Sequence, residues 1–221
     1  MSESLRVDVW SDIACPWCYI GRRRFSEGVR RFGGEVEVTY HSYELSPETP
    51  VDFVGSELDF LVAYKRQPRE VTQQMLDHVV GVAAEAGLTY DFDRLQHTNT
   101  VLAHQLLHLA RARGLQSEMV ERLFRAYFTE GGHIGRVDSL ADLAAQVGLD
   151  PDEVRDALTS GKYLAAVTAD QEQARAYGIQ GVPFYVIDGR YGISGAQDPD
   201  VFASALTQVA AELDGAAEPT R

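Results

Sequence analysis

Leu5-Arg6-Val7-Asp8-Val9-Trp10-Ser11-Asp12-Ile13-Ala14-Cys15-Pro16-Trp17-Cys18-Tyr19-Ile20-Gly21 is the stretch on which the reading of the whole chain turns. Leu5 to Ser11 alternates loosely, Val7 and Val9 against Arg6 and Asp8, as a short buried strand does. Pro16 stands where the first turn of a helix tolerates proline. From Trp17 the residues Ile20, Gly21, Phe25 and Val29 trace a helical stripe, which Gly33-Gly34 ends. Val36, Val38 and Tyr40 then alternate with Glu37, Thr39 and His41, a second strand. Strand, helix and strand within the first 45 residues make a βαβ unit, so the two strands should run parallel.

Outward from that unit the periodicity changes. Residues 46–68 hold Pro47, Pro50 and Pro68 and read as a loop with one short helix at Leu58–Tyr64. About a hundred residues of helical pattern follow. Val71–Ala86 stops at Gly87, and a helix marked by Val101, Leu102, Leu106, Leu109 and Ala110 stops at Gly114. Met119, Val120, Leu123, Phe124, Tyr127 and Phe128 mark the next. Ser139 with Asp142 is read as the cap of a short helix through Val147, and Asp150-Pro151-Asp152-Glu153 opens another. A helix from Tyr163 to Tyr177 ends at Gly178. The pattern then returns to β: Phe184-Tyr185-Val186-Ile187, the turn pair Asp188-Gly189, and Tyr191–Ser194, a hairpin by its turn chemistry. Asp198-Pro199 opens a last amphipathic helix, with a frayed tail expected from Asp214.

The chain has 221 residues, 45% of them apolar and 24% charged, the proportions of a soluble globular protein with a sizeable core. Its net charge of −13 argues against nucleic acid or an anionic membrane as partner. The N-terminal residues contain no apolar h-region, and no window approaches the roughly 18 apolar residues of a membrane span. A cytoplasmic protein is expected, in a compartment that keeps thiols reduced.

Its two cysteines are Cys15 and Cys18. Half of a structural zinc site is the bland reading, but such a site wants four ligands. There is no third cysteine, and none of the six histidines has paired spacing beside a cysteine, so no metal is expected. Placement favours redox chemistry. The free N–H groups and dipole at a helix start stabilise a thiolate at Cys15, and Cys18, one turn in, is covered and suited to resolving a mixed disulfide.

With Ser11 to Gly21 stand other motifs: Gly181-Val182-Pro183-Phe184, Asn99-Thr100 with Ala103-His104, Leu123 to Phe128, and Ser194-Gly195-Ala196-Gln197. Together they resemble the DsbA family of thioredoxin-like proteins over nearly the whole chain, in particular the FrnE-type cytoplasmic disulfide oxidoreductases and isomerases. The resemblance implies an α/β thioredoxin-like fold interrupted by an all-helical insertion domain, with residues 1–45 and 165–221 forming the thioredoxin-like domain and 46–164 the insertion. It also implies a cis peptide bond at Val182-Pro183 facing Cys15, which would offer the Val182 backbone to an extended substrate segment. Cys15 would attack, Cys18 resolve, and Pro16, Trp17, Val182 and Pro183 position the substrate. The partners so implied are protein or peptide thiols and disulfides, or a small thiol, with glutathione as a co-substrate at most. A related branch, the kappa-type glutathione transferases and 2-hydroxychromene-2-carboxylate isomerases, typically has serine at the position of Cys15. The second cysteine here counts against that glutathione-dependent alternative.

The remaining candidates divide between chemistry and structure. Asp12 is read either as a cap on the active-site turn or as a turn aspartate without a catalytic part, and Glu44 as an acid that could relay the Cys18 proton. Arg22, Arg23 and Arg24 read as a solvated helix face. His104 and His108 have the i, i+4 spacing of a metalloprotease helix, but Gln105 stands where its general base would be, so they read as surface or insertion-interface histidines. Tyr127 and Phe128 read as insertion core.

Overall fold

The computed structural model describes the backbone of residues 4–217 and the side chains of residues 4–213. β1 (Leu5–Ser11), α1 (Pro16–Phe32) and β2 (Val36–Ser42) come first; β3 (Phe184–Ile187), β4 (Tyr191–Ser194) and α9 (Pro199–Ala217) come last. Between them lie α2 (Glu57–Lys65), α3 (Arg69–Glu85), α4 (Val101–Ala112), α5 (Gln116–Arg125), α6 (Val137–Ala145), α7 (Pro151–Thr159) and α8 (Leu164–Ala176). The sheet order is β2-β1-β3-β4, with β1 parallel to β2 and antiparallel to β3. The βαβ unit and the Asp188-Gly189 hairpin are both present. Both turn residues take positive φ, 50° and 67°, which suits the right-handed twist of the paired strands.

β1 is the central strand and both of its faces are covered. Val7 and Val9 point into the main core, while Trp10 on the opposite face packs with Ala174, Ile179 and Val186. α1 lies along α9, and Gly28 permits the close approach: a Cβ there would stand 2.6 Å from that of Phe202. Tyr19 carries α1 into the helical segment by stacking on Phe124, with ring centroids 5.0 Å apart. Tyr127 and Phe128 are fully buried there, and each such aromatic contributes about 2–3 kcal/mol by burial.

Four local expectations need correction. α6 begins at Val137 with Arg136 at its N-cap, so Ser139 lies inside the helix and Ser139 and Asp142 cap nothing. α5 does not continue as α-helix through Phe128 but widens to a π-turn over Ala126–Glu130, closed by Gly131 at φ 67°. α9 remains helical through Ala217, beyond the expected fraying at Asp214; residues 218–221 lie outside the described residues. Of the Arg22–Arg24 run only Arg23 is exposed; the other two are not on a solvated face. Arg22 lies against α5 and β2, its Nε 3.0 Å from Glu121 Oε2 and its Nη1 donating to Tyr40 Oη at 2.7 Å, and Arg24 Nη1 donates to the Ala196 carbonyl at 2.8 Å. Asp150 does cap α7, accepting from the Asp152 N–H at 2.9 Å. Among the described residues no helix is long and apolar enough to cross a membrane.

Candidate active site

The cysteine pair sits where β1 gives way to α1. The Asp12 carbonyl accepts the Cys15 N–H at 3.1 Å, which turns the chain out of the strand, and Cys15 becomes the N-cap of α1 in extended conformation. Pro16 at the first helical position needs no partner for an N–H it lacks. No side chain caps this end and no acid stands in its first turn, so the free N–H groups of α1 remain available to an anion. The Pro16 carbonyl, in turn, accepts the Tyr90 hydroxyl at 2.7 Å, which ties the motif to the helical segment.

Cys15 and Cys18 are both free thiols. The Cys15 Sγ donates to the Val182 carbonyl at 3.6 Å, across 167 residues of sequence, and the Val182–Pro183 bond is cis. The Pro183 carbonyl accepts the Gly195 N–H at 2.8 Å, so the loop is pinned to the end of β4. Gly21 lets α1 approach that loop: a Cβ at Gly21 would stand 2.9 Å from Pro183 Cγ and 2.7 Å from Tyr185 Oη. Cys18 lies one turn behind, almost fully buried. Burial first, then the neighbouring Cys15, pushes its thiol well above the ordinary range, against smaller opposing pulls from the Ser11 hydroxyl and the Asp12 N–H.

Asp12 does cap the turn. Its Oδ1 accepts the Ala14 N–H at 3.3 Å and its Oδ2 accepts the Leu45 N–H at 2.8 Å, so one carboxylate holds the motif and the segment after β2 together. Burial alone would raise its pKa, but His104 and the Leu45 N–H outweigh it and hold Asp12 below the usual carboxylate range. Of the two readings of His104 and His108, the insertion-interface one holds and the surface one does not. His104 stands under the active-site turn, and His108 Nε2 lies 3.1 Å from Asp170 Oδ2 on α8. Glu44 turns away: its Oε2 accepts from Gln171 at 2.9 Å, and the groups acting on Cys18 are Cys15, Ser11 and Asp12.

A pocket of about 240 Å³ opens beside Cys15. Pro16 and Trp17 form one wall, the segment Leu45–Thr49 another and α2 and α3 a third, with Asp12, Phe92, His97, Thr98 and Thr100 also in the lining. Sequence reasoning missed a buried pair in its lining, Glu57 and His97. They lie 40 residues apart, and neither belongs to a spacing motif. The arrangement joins a helix-start cysteine, a buried partner cysteine, a backbone carbonyl against the outer sulfur and a mostly apolar pocket, which together suit exchange of a thiol with a disulfide.

The model of the DSBA-like thioredoxin domain matches residues 6–207. A probable DsbA oxidoreductase from Streptomyces coelicolor is similar, with 38% identity and a TM-score of 0.86 over 98% of this chain and 93% of that one. YwbO of Bacillus subtilis (strain 168), an uncharacterised protein, is 30% identical over 210 residues, 92% of this chain and 96% of that one. A 2-hydroxychromene-2-carboxylate isomerase shares the fold, with a TM-score of 0.74 at 18% identity over 96% of this chain and all of that one.

Proposed function

The chain belongs to the family of DSBA-like thioredoxin domains, and from that premise we propose that it is a thiol–disulfide oxidoreductase that works on polypeptide disulfides through Cys15 and Cys18. The observation that carries this reading is the Cys15 Sγ held 3.6 Å from the Val182 carbonyl at an uncapped helix start, with Cys18 buried behind it. In the reducing direction, the Cys15 thiolate attacks one sulfur of the substrate disulfide. The substrate S–S bond breaks, a mixed disulfide forms, and the departing substrate thiolate takes up a proton. Cys18 then loses its proton and attacks the Cys15 sulfur, releasing the second substrate thiol and leaving a Cys15–Cys18 disulfide. The substrate gains the two electrons that the cysteine pair loses, and a small thiol of the glutathione class restores the pair. Val182 presents its backbone to an extended substrate segment, and Pro16, Trp17 and Pro183 flank it. Trp17 precedes Cys18 and offers no imidazole to the Cys15 sulfur, which suits the pair to reduction or isomerisation more than to strong oxidation. The activity belongs in the cytoplasm, where such a thiol is available.

Trapping tests this directly. With Cys18→Ala the mixed disulfide cannot be resolved, so polypeptides should be recovered from cells covalently bound through Cys15 and released by dithiothreitol. Recovery of no disulfide-linked polypeptide would overturn the reading.

A second reading, a glutathione-dependent transferase or isomerase acting on a small molecule, is favoured by one feature, the pocket beside Cys15. It needs one activating group at position 15 and none at 18. Under it, Cys18→Ser would keep most of its turnover, and glutathione would raise the Tm by binding only the folded state.

A further inference from the structure

Tyr90, between α3 and α4, does not line the pocket and takes no part in the exchange steps, but its hydroxyl reaches the first turn of α1. Its Oη donates to the Pro16 carbonyl at 2.7 Å, across 74 residues of sequence, and the residue is only 6% exposed. The ring is clamped. Phe128 stacks on it with centroids 4.7 Å apart, Tyr19 of α1 stacks at 6.1 Å, and Phe92 meets it edge-on at 5.8 Å. The backbone is pinned on both sides of it: the Thr89 carbonyl accepts Thr129 Oγ1 at 2.7 Å, and the Asp91 N–H donates to the Phe128 carbonyl at 2.7 Å. Burial first, then the nearby Cys15, Tyr19 and Cys18, push the phenol well above its ordinary range, so it stays a hydrogen-bond donor throughout the working pH range.

The Pro16 carbonyl does not need this bond to be satisfied. It belongs to α1, and a helical carbonyl already accepts the N–H four residues on. What the second bond changes is the other end of the same peptide group, the Trp17 N–H. Cys15 is the N-cap of α1, and an N-cap side chain accepts from the second or third helical N–H, here Trp17 or Cys18. The Cys18 N–H is taken by the Cys15 carbonyl at 3.0 Å, which leaves the Trp17 N–H. As a thiol, Cys15 donates to the Val182 carbonyl; as a thiolate it can only accept, and needs a donor. A carbonyl that accepts a hydrogen bond makes the N–H of its own peptide a stronger donor, because hydrogen bonds in a chain polarise one another.

We propose that Tyr90 is a positioning residue for the exchange reaction, whose hydroxyl polarises the Pro16–Trp17 peptide so that the Trp17 N–H stabilises the Cys15 thiolate. The proposal rests on the thiol–disulfide reading and deepens it, since it gives the helical insertion a part in setting the redox balance of the pair. In the Cys15–Cys18 disulfide there is no charge on Cys15 to stabilise, so the Tyr90 hydroxyl favours the reduced pair.

The test is a redox titration of wild type, Y90F and T129V at pH 7 in glutathione buffers of graded composition. In it the protein dithiol reduces one glutathione disulfide to two glutathione thiols, which take up its protons, and becomes the Cys15–Cys18 disulfide. Acid quenching, alkylation and mass spectrometry then count the two forms. A bond to a charged acceptor strengthened by about 10–30% shifts such an equilibrium by about two- to threefold. The Y90F midpoint should move by that factor toward more reducing buffer, a change of ~9–14 mV. Y90F keeps the ring and its aromatic contacts. T129V cuts the neighbouring bond and keeps the hydroxyl, so its midpoint should stay at the wild-type value. Both variants should lose some Tm, so a purely structural role would not separate them. A Y90F midpoint equal to that of the wild type would overturn the proposal while leaving the exchange reading intact. So would a shift toward more oxidising buffer, or an equal shift in T129V. A wild-type pair that forms no disulfide in any of the buffers would overturn the exchange reading and this proposal with it.

Discussion

His104 Nε2 stands 3.3 Å from Asp12 Oδ1, with both side chains almost wholly buried beneath the turn that presents Cys15. Asp12 is thereby the common partner of α4, of the turn through Ala14 and of the segment at Leu45. Removing it leaves two N–H groups without their acceptor and takes the carboxylate from beside a buried imidazole. Asp12→Ala should cost about 3–5 kcal/mol, the scale of a buried pair broken from one side. Because Asp12 titrates below its ordinary 3.8 in the fold, its contribution is present above that value and lost as pH falls through the lower folded one. Urea midpoints at pH 7 and pH 3 for wild type and variant measure both; equal midpoints at pH 7 would contradict the assignment.

Gly21→Ala sets two effects of opposite sign against each other. Helix propensity favours alanine by about 1 kcal/mol. The new Cβ would stand 2.9 Å from Pro183 Cγ and 2.7 Å from Tyr185 Oη, so overpacking of about 1–3 kcal/mol opposes it. The clash should win, lowering Tm and displacing the Pro183 loop from Cys15, with a fall in exchange rate. A rise in Tm would show that the contact gives way freely.

What was legible in the sequence is what neighbouring residues decide. The strand, the Cys15–Cys18 turn and α1 follow from seventeen consecutive residues, and the hairpin from Asp188-Gly189. The buried histidine–carboxylate pairs were not legible, because their partners are far apart in the chain: His41 and Asp170 by 129 residues, His97 and Glu57 by 40. Only the fold shows that the partner of His104 at the insertion interface is Asp12. Glu44 illustrates the converse. It follows β2 closely, as a proton relay would require, but its side chain goes to Gln171. The Arg22–Arg24 run misled for the same reason, since Glu121 lies on a helix the local pattern could not place beside α1.

His41 lies between two carboxylates, its Nε2 2.7 Å from Asp8 Oδ1 and its Nδ1 2.8 Å from Asp170 Oδ1. Burial would lower its pKa, but Asp170 and then Asp8 outweigh burial and raise it above 6.5. A raised histidine stabilises the fold fully below 6.5, and that stabilisation is lost as pH rises through the folded value. Wild-type stability should therefore decline from neutral pH into the mildly alkaline range. His41→Gln should start lower and lack that part of the decline. Urea titrations every half unit from pH 6 to pH 9 decide it; parallel curves would contradict the account.

The two thiols should alkylate very unequally. Both cysteines are buried, at 5% and 2% exposed, but Cys15 borders the open pocket while the Cys18 thiol does not and is pushed well up, first by burial and then by Cys15. Reduced protein treated with iodoacetamide at pH 8 should take one label, at Cys15, and take the second only in denaturant. Equal labelling of the native protein at both positions, read by peptide mass spectrometry, would contradict this difference between the two thiols.

The central claim, a two-cysteine exchange cycle on polypeptide disulfides, is tested most directly by reduction of insulin with dithiothreitol, comparing wild type with Cys15→Ser and Cys18→Ser. The account predicts acceleration by the wild type and its loss, to the uncatalysed rate, in both variants. Cys15→Ser removes the sulfur that attacks the substrate, and Cys18→Ser removes the one that releases it. Insulin reduction by Cys18→Ser at the wild-type rate, or none by the wild type itself, would contradict it.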